Sequence, residues 1–325
     1  MQPASPAGQL VRSSGCALRG PAERSALVGR MRCAGAAGHI LAQEGGDTVR
    51  ANAQVPAPEV TMTRPAFRNL LYREPHLYDL VFPEHDGSTS RMVCTAIDRW
   101  LPAPPRSVLD LGCGTGRHLG GWAKAIPECY GVDLLGSNIA YAKGRHPGIT
   151  FQVGDMRAVR LGRTFDVVTC LGNAVSYALG DDDLNDTVGT FAAHAHTGTL
   201  LILDPLNARA YLEGDGFQER IEGRVDSPGF TATSVSLHQL DRRARVLRRT
   251  RTWHIVGRAD EEDYAEYRLL LPEEVQRLLE AAGFEMLGMY DNREFRPTEL
   301  TGRITTGPDV AGLRGRKLYT FARKR

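Results

Sequence analysis

Three carboxylates and a run of glycines carry the chemistry that is legible in this chain. Ser107 to Gly116 reads Ser-Val-Leu-Asp-Leu-Gly-Cys-Gly-Thr-Gly, an apolar β-prone run closed by Gly112, Gly114 and Gly116, and a helical stretch follows from His118 to Ala125. Glycine has no Cβ, so such a backbone can take positive φ and approach a ligand closely. Strand, tight turn and helix N-terminus in that order describe a seat for a nucleotide-sized ligand. The glycines run G-x-G-x-G, whereas a dinucleotide fingerprint reads G-x-G-x-x-G, and Asp110 precedes them at the strand end. A carboxylate there repels a pyrophosphate and suits a cationic or hydrogen-bond-donating group, which speaks against a dehydrogenase. Asp133 closes a second short apolar strand, Tyr130-Gly131-Val132-Asp133, from where it can accept both hydroxyls of a ribose. Asp155, in Gly154-Asp155-Met156, follows a third strand from Ile149 to Val153 and sets an acid where an adenine amine would lie. A fourth strand, Phe165 to Leu171, ends in Gly172-Asn173.

The succession Leu109-Asp110-Leu111-Gly112-Cys113-Gly114-Thr115-Gly116, then Gly131-Val132-Asp133, Gly154-Asp155-Met156 and Phe165-Asp166-Val167-Val168, resembles the class I S-adenosylmethionine-dependent methyltransferases. The resemblance runs from roughly Tyr72 to the C-terminus. It implies an α/β, Rossmann-like class I methyltransferase fold: a seven-stranded, mostly parallel sheet, here with an antiparallel β insertion. It implies S-adenosyl-L-methionine as cofactor, with Asp110, Gly112, Gly114 and Gly116 at the methionine moiety, Asp133 at the ribose, and Asp155 with Met156 at the adenine. Tyr78, Leu134, Leu171 and Asn173 complete the implied cofactor set. The implied catalytic residues are Tyr78 and Tyr177, bordering the methyl path, and His254, which could take a proton if it points inward.

Within that family, Tyr78-Asp79-Leu80-Val81, Gly154-Asp155-Met156-Arg157 and a late β insertion look most like the small-molecule N-methyltransferases, in particular the aminosugar N,N-dimethyltransferases of antibiotic pathways. Their acceptor travels on a nucleoside diphosphate, so the implied partner is a small, phosphate-bearing molecule. The chain departs from that group at Tyr177, where a histidine is expected near the acceptor amine. An amine acceptor is the first expectation, an oxygen or carbon of a natural-product scaffold the second. A non-catalytic S-adenosylmethionine-binding module is a third, which the intact glycine loop and Asp133 speak against.

Composition narrows the partners. The chain has 325 residues, a formal net charge of +2 and a sequence pI near 8.2, so no global basic field argues for nucleic acid. No apolar run approaches the roughly 18 residues a membrane span needs. Cys16, Cys33, Cys94, Cys113, Cys129 and Cys170 lack metal-ligand spacing and read as buried thiols of a cytoplasmic protein. A homodimer is left open. Residues 1–62 are rich in Ala, Gly, Ser and Pro without sustained apolar period, and are expected to be a disordered extension, with translation starting near Met62 as one explanation. Residues 63–325 form the expected methyltransferase domain: a helical lid over 63–105, the cofactor core over 106–208, the β insertion over 209–271, and a last helix and two strands over 272–325.

Several elements must position these groups. Ser88 to Trp100 is amphipathic and is stopped by the prolines of Leu-Pro-Ala-Pro-Pro; Arg91 on it reads as a solvated side chain with a second use at a cofactor carboxylate. Ser137 is expected to cap the helix after Asp133. Asp181, Asp182 and Asp183 read as first-turn acids, and His194 and His196 as charge at a helix C-terminus, so no metal is assigned. Strands alternating with helical stretches from Ser107 to Pro205 imply parallel pairing, with ligands outside the strands' carboxyl ends. Three strands, Thr231 to Leu240, Arg245 to Val256 and Tyr264 to Leu271, build the expected insertion. Alternation places Arg249 and Arg251 on one face with Leu247, Trp253 and Ile255, and Arg248 on the other with Thr250, Thr252 and His254. That arginine-rich strand is either a solvated ribbon or a clamp for substrate phosphates or carboxylates. Pro272 opens and Gly283 stops the last helix, ahead of strands at Phe284 to Tyr290 and Lys317 to Ala322.

Overall fold

The computed structural model describes residues 68–82, 87–214, 216–296, 298–300, 303–305 and 312–325. The extension expected over 1–62, with Cys16 and Cys33, lies outside the described residues. Two short helices, α1 (Leu70–Arg73) and α2 (Pro75–Val81), are followed by α3 (Ser88–Trp100), which buries Thr89, Met92, Val93, Ala96 and Ile97 along one face. Then strands and helices alternate: β1 (Ser107–Leu111), α4 (Arg117–Trp122), β2 (Glu128–Asp133), α5 (Gly136–Arg145), β3 (Thr150–Val153), β4 (Phe165–Cys170), α6 (Asp181–Ala193), β5 (Ala195–Leu203) and α7 (Ala208–Leu212). A single 3-10 turn, Ala174–Tyr177, follows β4. The insertion supplies β6 (Arg220–Ser227), β7 (Phe230–Asp241), β8 (Val246–Ile255) and β9 (Glu261–Arg268). The chain closes with α8 (Pro272–Ala281), β10 (Phe284–Tyr290), β11 (Thr298–Leu300), β12 (Arg303–Thr305) and β13 (Tyr319–Lys324).

The main sheet has the order β10-β13-β5-β4-β1-β2-β3. Strands β1 to β5 pair in parallel, and β13 runs antiparallel to both β5 and β10. Central β1 is buried at every residue, as a parallel strand covered on both faces must be. Its side chains alternate between two cores: Leu109 and Leu111 join Val168 and Phe191, while Val108 joins Trp122, Val167 and Phe321. From β1 the chain winds outward to β3 and returns to β4 on β1's other side. That reversal opens a crevice at the carboxyl ends of β1 and β4.

The expected parallel core, the insertion and the antiparallel last strand are all present. Four local expectations are corrected. The insertion has four strands, in the order β6-β7-β8-β9, because Arg220–Ser227 pairs along its whole length with β7. Helix α5 starts at Gly136 with Leu135 as its N-cap, and the Ser137 hydroxyl instead donates to the Tyr72 carbonyl at 2.8 Å. His194 is neutral: Nε2 accepts the Leu161 N–H at 3.0 Å, Nδ1 lies 2.8 Å from the Thr190 carbonyl, and burial lowers its pKa. Cys113, Cys129 and Cys170 are buried free thiols, whereas Cys94 is disulfide-bonded, so not all six are thiols.

Candidate functional site

The crevice widens into a cavity of about 480 Å³, and the three carboxylates expected there all line it. Asp110 is 1 % exposed and accepts the Thr169 hydroxyl at 2.7 Å; burial raises its pKa to about 6. Asp133 sits at the tip of β2. Its Oδ2 accepts the Gly114 N–H at 2.9 Å, and its Oδ1 accepts the Leu135 N–H at 2.9 Å and Asn138 Nδ2 at 3.1 Å. One carboxylate therefore pins the glycine loop to the next strand. Burial raises its pKa, and the donors pull against that shift. Asp155 also borders the cavity, but Arg157 grips it, with Nη2 2.6 Å from Oδ2, and Arg157 in turn reaches Asp183 at 2.6 Å. The acidic run at the start of α6 thus works through ion pairs: Asp181 holds Arg268 at 2.6 Å.

The three glycines divide the work. Gly114, with φ at +54°, opens to the cavity, and a Cβ there would meet nothing within 4 Å. Gly112 has φ at +75°, and a Cβ would lie 2.6 Å from that of Ala174. Gly116 lines neither cavity; a Cβ there would strike the Phe151 ring at 2.6 Å, so its role is in turning the chain into α4. Leu134, Met156 and Leu171 supply apolar wall. Buried acid at two strand tips, apolar wall between them and an open glycine loop fit the size and chemistry of S-adenosylmethionine.

The lid segment covers this cavity and joins a second. Tyr78 on α2 lines both cavities, with the Arg117 guanidinium carbon 5.0 Å from its ring centroid. Asp79 on the same helix accepts the Thr115 hydroxyl at 3.0 Å, and Arg117 donates to the Phe82 carbonyl. On its other side the segment is tied to the insertion. Buried Asp263 accepts the Leu70 N–H at 2.5 Å and Trp253 Nε1 at 2.7 Å.

The second cavity, about 700 Å³, shares Tyr72, Tyr78, Arg117, His118, Gly172 and Tyr177 with the first. Tyr72 and Tyr177 place their hydroxyls 2.7 Å apart, and Tyr177 reaches the Tyr267 hydroxyl at 3.4 Å. Burial raises the pKa of both Tyr72 and Tyr177, so both are neutral phenols. The far wall is cationic: Arg249, Arg251, Arg293 and Lys317 face a single carboxylate among the described residues, Asp204. Asp204 is 2 % exposed, pairs with Lys317 at 2.7 Å and accepts the Asn173 N–H at 2.9 Å.

Of the expected residues, Asn173 falls on this second cavity and not on the first; its φ of 65° at the end of β4 turns it toward Asp204. His254 lies outside both cavities, with Nδ1 2.9 Å from Asp260 and its side chain 47 % exposed. Trp253 and Ile255 fill the core against α1, so strand alternation turns His254 to solvent. Arg91, too, lines neither cavity. Tyr72, Tyr267, Lys317 and Asp204 were not anticipated as site residues. Only Asp204, polar at the end of an apolar strand in Asp204-Pro205-Leu206-Asn207, carried a signal.

A methyltransferase-domain profile matches residues 108–198. The chain is 28% identical over 253 residues, 74% of its length and 91% of the relative's, to a dTDP-3-amino-3,6-dideoxy-alpha-D-glucopyranose N,N-dimethyltransferase of Streptomyces fradiae. Over 99 residues, 30% of this chain and 42% of that one, it is 35% identical to a dTDP-3-amino-3,4,6-trideoxy-alpha-D-glucopyranose N,N-dimethyltransferase of Streptomyces venezuelae. Among solved structures it is similar to S-adenosylmethionine-bound CalS10, an amino pentose methyltransferase from Micromonospora echinaspora, at 27% identity and a TM-score of 0.57, covering 77% of this chain and 96% of that one. Sheet order, glycine loop and domain match together make this chain a class I S-adenosylmethionine-dependent methyltransferase. Its relatives act on aminosugars.

Proposed function

We propose that the chain methylates the amine of a small aminosugar acceptor carried on a nucleoside diphosphate. The observation that carries this reading is the cationic second cavity, which meets the donor cavity at Tyr72, Tyr78 and Tyr177. Two phosphates would supply the negative charge that the arginines of this cavity call for, Lys317 being paired with Asp204.

S-adenosylmethionine, when bound, supplies a methyl group already activated on a sulfonium. The residues of this chain then have to align an acceptor and exclude water, and alignment alone is worth up to about 7 to 11 kcal/mol in good cases. Asp110 and the Gly114 loop suit the amino-acid end of the donor, Asp133 its ribose, and Leu134 with Met156 its base. Tyr177 stands where the two cavities join. As a neutral phenol it can accept an amine N–H, which turns the nitrogen lone pair away from the hydroxyl. No base beyond this is needed for an amine that arrives unprotonated.

Two further features belong to this reading. Strand β6 leaves one edge of the four-stranded sheet unpaired among the described residues, where a second copy would continue the ladder and form a homodimer. Cys113, Cys129 and Cys170, three of the four described cysteines, are buried free thiols and suit a cytoplasmic site of action, which the disulfide at Cys94 speaks against.

The test is incubation with S-adenosylmethionine and dTDP-3-amino-3,6-dideoxy-alpha-D-glucopyranose, followed by mass spectrometry. Gain of one and then two methyl masses on the sugar is expected. An unchanged sugar, with the donor bound by the same preparation, would contradict the acceptor class.

A further inference from the structure

Several arginines outside the second cavity are matched with acids. Arg157 holds Asp155 and Asp183, Arg248 holds Glu266, Arg245 holds Glu274, and Arg268 holds Asp181 and Glu274. Arg249 differs. It is 9 % exposed, lines the second cavity, and its Nε and Nη2 are buried with no hydrogen-bond partner among the described residues. Its guanidinium carbon lies 5.7 Å from the Tyr267 ring centroid, which offers a π face but no anion.

The nearby carboxylates are already committed. Asp263 receives Leu70 and Trp253, and Asp204 receives Lys317 and Asn173. A cation buried without a counter-charge is costly to keep, and two unmatched N–H groups add to that cost. Arg251 stands next on the same face of β8 and also lines the cavity; its Nε donates to Ser236 at 2.9 Å, and burial together with the charge of Arg249 brings its pKa down to about 10, so it too is charged at neutral pH. These two guanidinium groups therefore share the cavity with Arg117 and Arg293, and Arg249, the more deeply buried of the pair, has open donors.

We infer that Arg249, with Arg251 beside it, is a specificity-determining oxyanion subsite that anchors an acidic group of the acceptor within short reach of the reacting nitrogen. The place is set by the tyrosines. Tyr267 lies beneath Arg249 and contacts Tyr177, and Tyr177 borders the donor cavity. An arginine fork matches the two oxygens of a phosphate or a carboxylate in one plane. Such a contact excludes acceptors that bear an amine but no acid close by. The inference rests on the amine-acceptor reading above and adds to it where the acceptor's charge must sit.

The experiment is calorimetry on the full chain, wild type against Arg249→Met and Arg249→Lys. Thymidine diphosphate and inorganic pyrophosphate are the phosphate probes, malonate the carboxylate probe, and S-adenosylhomocysteine the control for folding. Expected is a loss of at least about tenfold in affinity for one probe class in Arg249→Met, partial recovery in Arg249→Lys, and unchanged S-adenosylhomocysteine binding. The probe class that responds identifies the acidic group. Equal probe binding by wild type and Arg249→Met overturns the subsite, as does no binding of any probe by wild type. Should Arg249→Met fail to bind S-adenosylhomocysteine, Arg249→Lys decides: it must lose affinity for a probe while keeping the control. Wild type that methylates the aminosugar with an Arg249-independent affinity refutes the subsite alone. Arg249-dependent probe binding without any methylation refutes the amine reading alone.

Discussion

The hydroxyl of Tyr72 lies 2.7 Å from that of Tyr177, joining α1 of the lid to the turn after β4 across 105 positions of sequence. This pair stands on the border between the two cavities. Tyr177→Phe removes the shared hydrogen bond and the hydroxyl that would face the amine. Steady-state kinetics with the aminosugar acceptor are expected to show kcat lowered by about tenfold or more, with donor binding within about twofold of wild type. Full activity in Tyr177→Phe would remove the phenol from the reaction.

What the sequence made legible was local. The β1 glycine loop, Asp133 at a strand tip and the inward pair Arg249 and Arg251 follow from short-range pattern, since φ preferences and strand alternation act over a few residues. Strand β6 was not legible, because Arg220–Ser227 carries charges at alternate positions and Gly223 at its middle, leaving only Ile221 and Val225 as apolar signal. Tyr72, Asp204, Tyr267 and Lys317 meet only through the tertiary fold. Nothing in a window of ten residues marks them as one wall.

Asp133 has two structural duties and an expected ligand duty. Asp133→Ala leaves the Gly114 N–H and Asn138 without their acceptor. Calorimetry should show S-adenosylmethionine binding weakened by at least about 1.5 kcal/mol, roughly tenfold. Unchanged affinity would mean that the β2 tip does not hold the donor.

Asp110 ties stability to pH. Burial raises its folded-state pKa from 3.8 to about 6, so the folded chain holds this proton more tightly than the unfolded chain does. The stability it contributes is therefore full below about 3.8 and is lost as pH rises through about 6. Asp110→Asn never ionises and escapes that loss. Urea unfolding of both proteins at about pH 4 and about pH 7 should show the variant gaining on wild type by up to about 3 kcal/mol across the interval. A pH-independent difference would contradict it.

The Asp204–Lys317 pair is expected to matter more for folding than its size suggests. Lys317→Met strands a carboxylate that is 2 % exposed. Loss of about 3 kcal/mol in urea melts is expected, with part of it restored in the double variant Asp204→Asn, Lys317→Met. Additive single effects would show the two groups to be independent.

His254 provides the opposite case. It is exposed and paired with Asp260, away from both cavities. His254→Ala should leave kcat and its pH profile within about twofold of wild type. A larger fall would return it to the list of proton acceptors.

The most direct measurement is a crystal structure with S-adenosylhomocysteine and the dTDP-aminosugar bound together. Expected is the sulfur compound in the first cavity with its ribose at Asp133, the sugar amine beside Tyr177 in line with the sulfur, and the phosphates on the cationic wall. A sulfur compound remote from Asp110 and Asp133, or an amine on the far side of Tyr177 from the sulfur, would contradict the assignment of the two cavities.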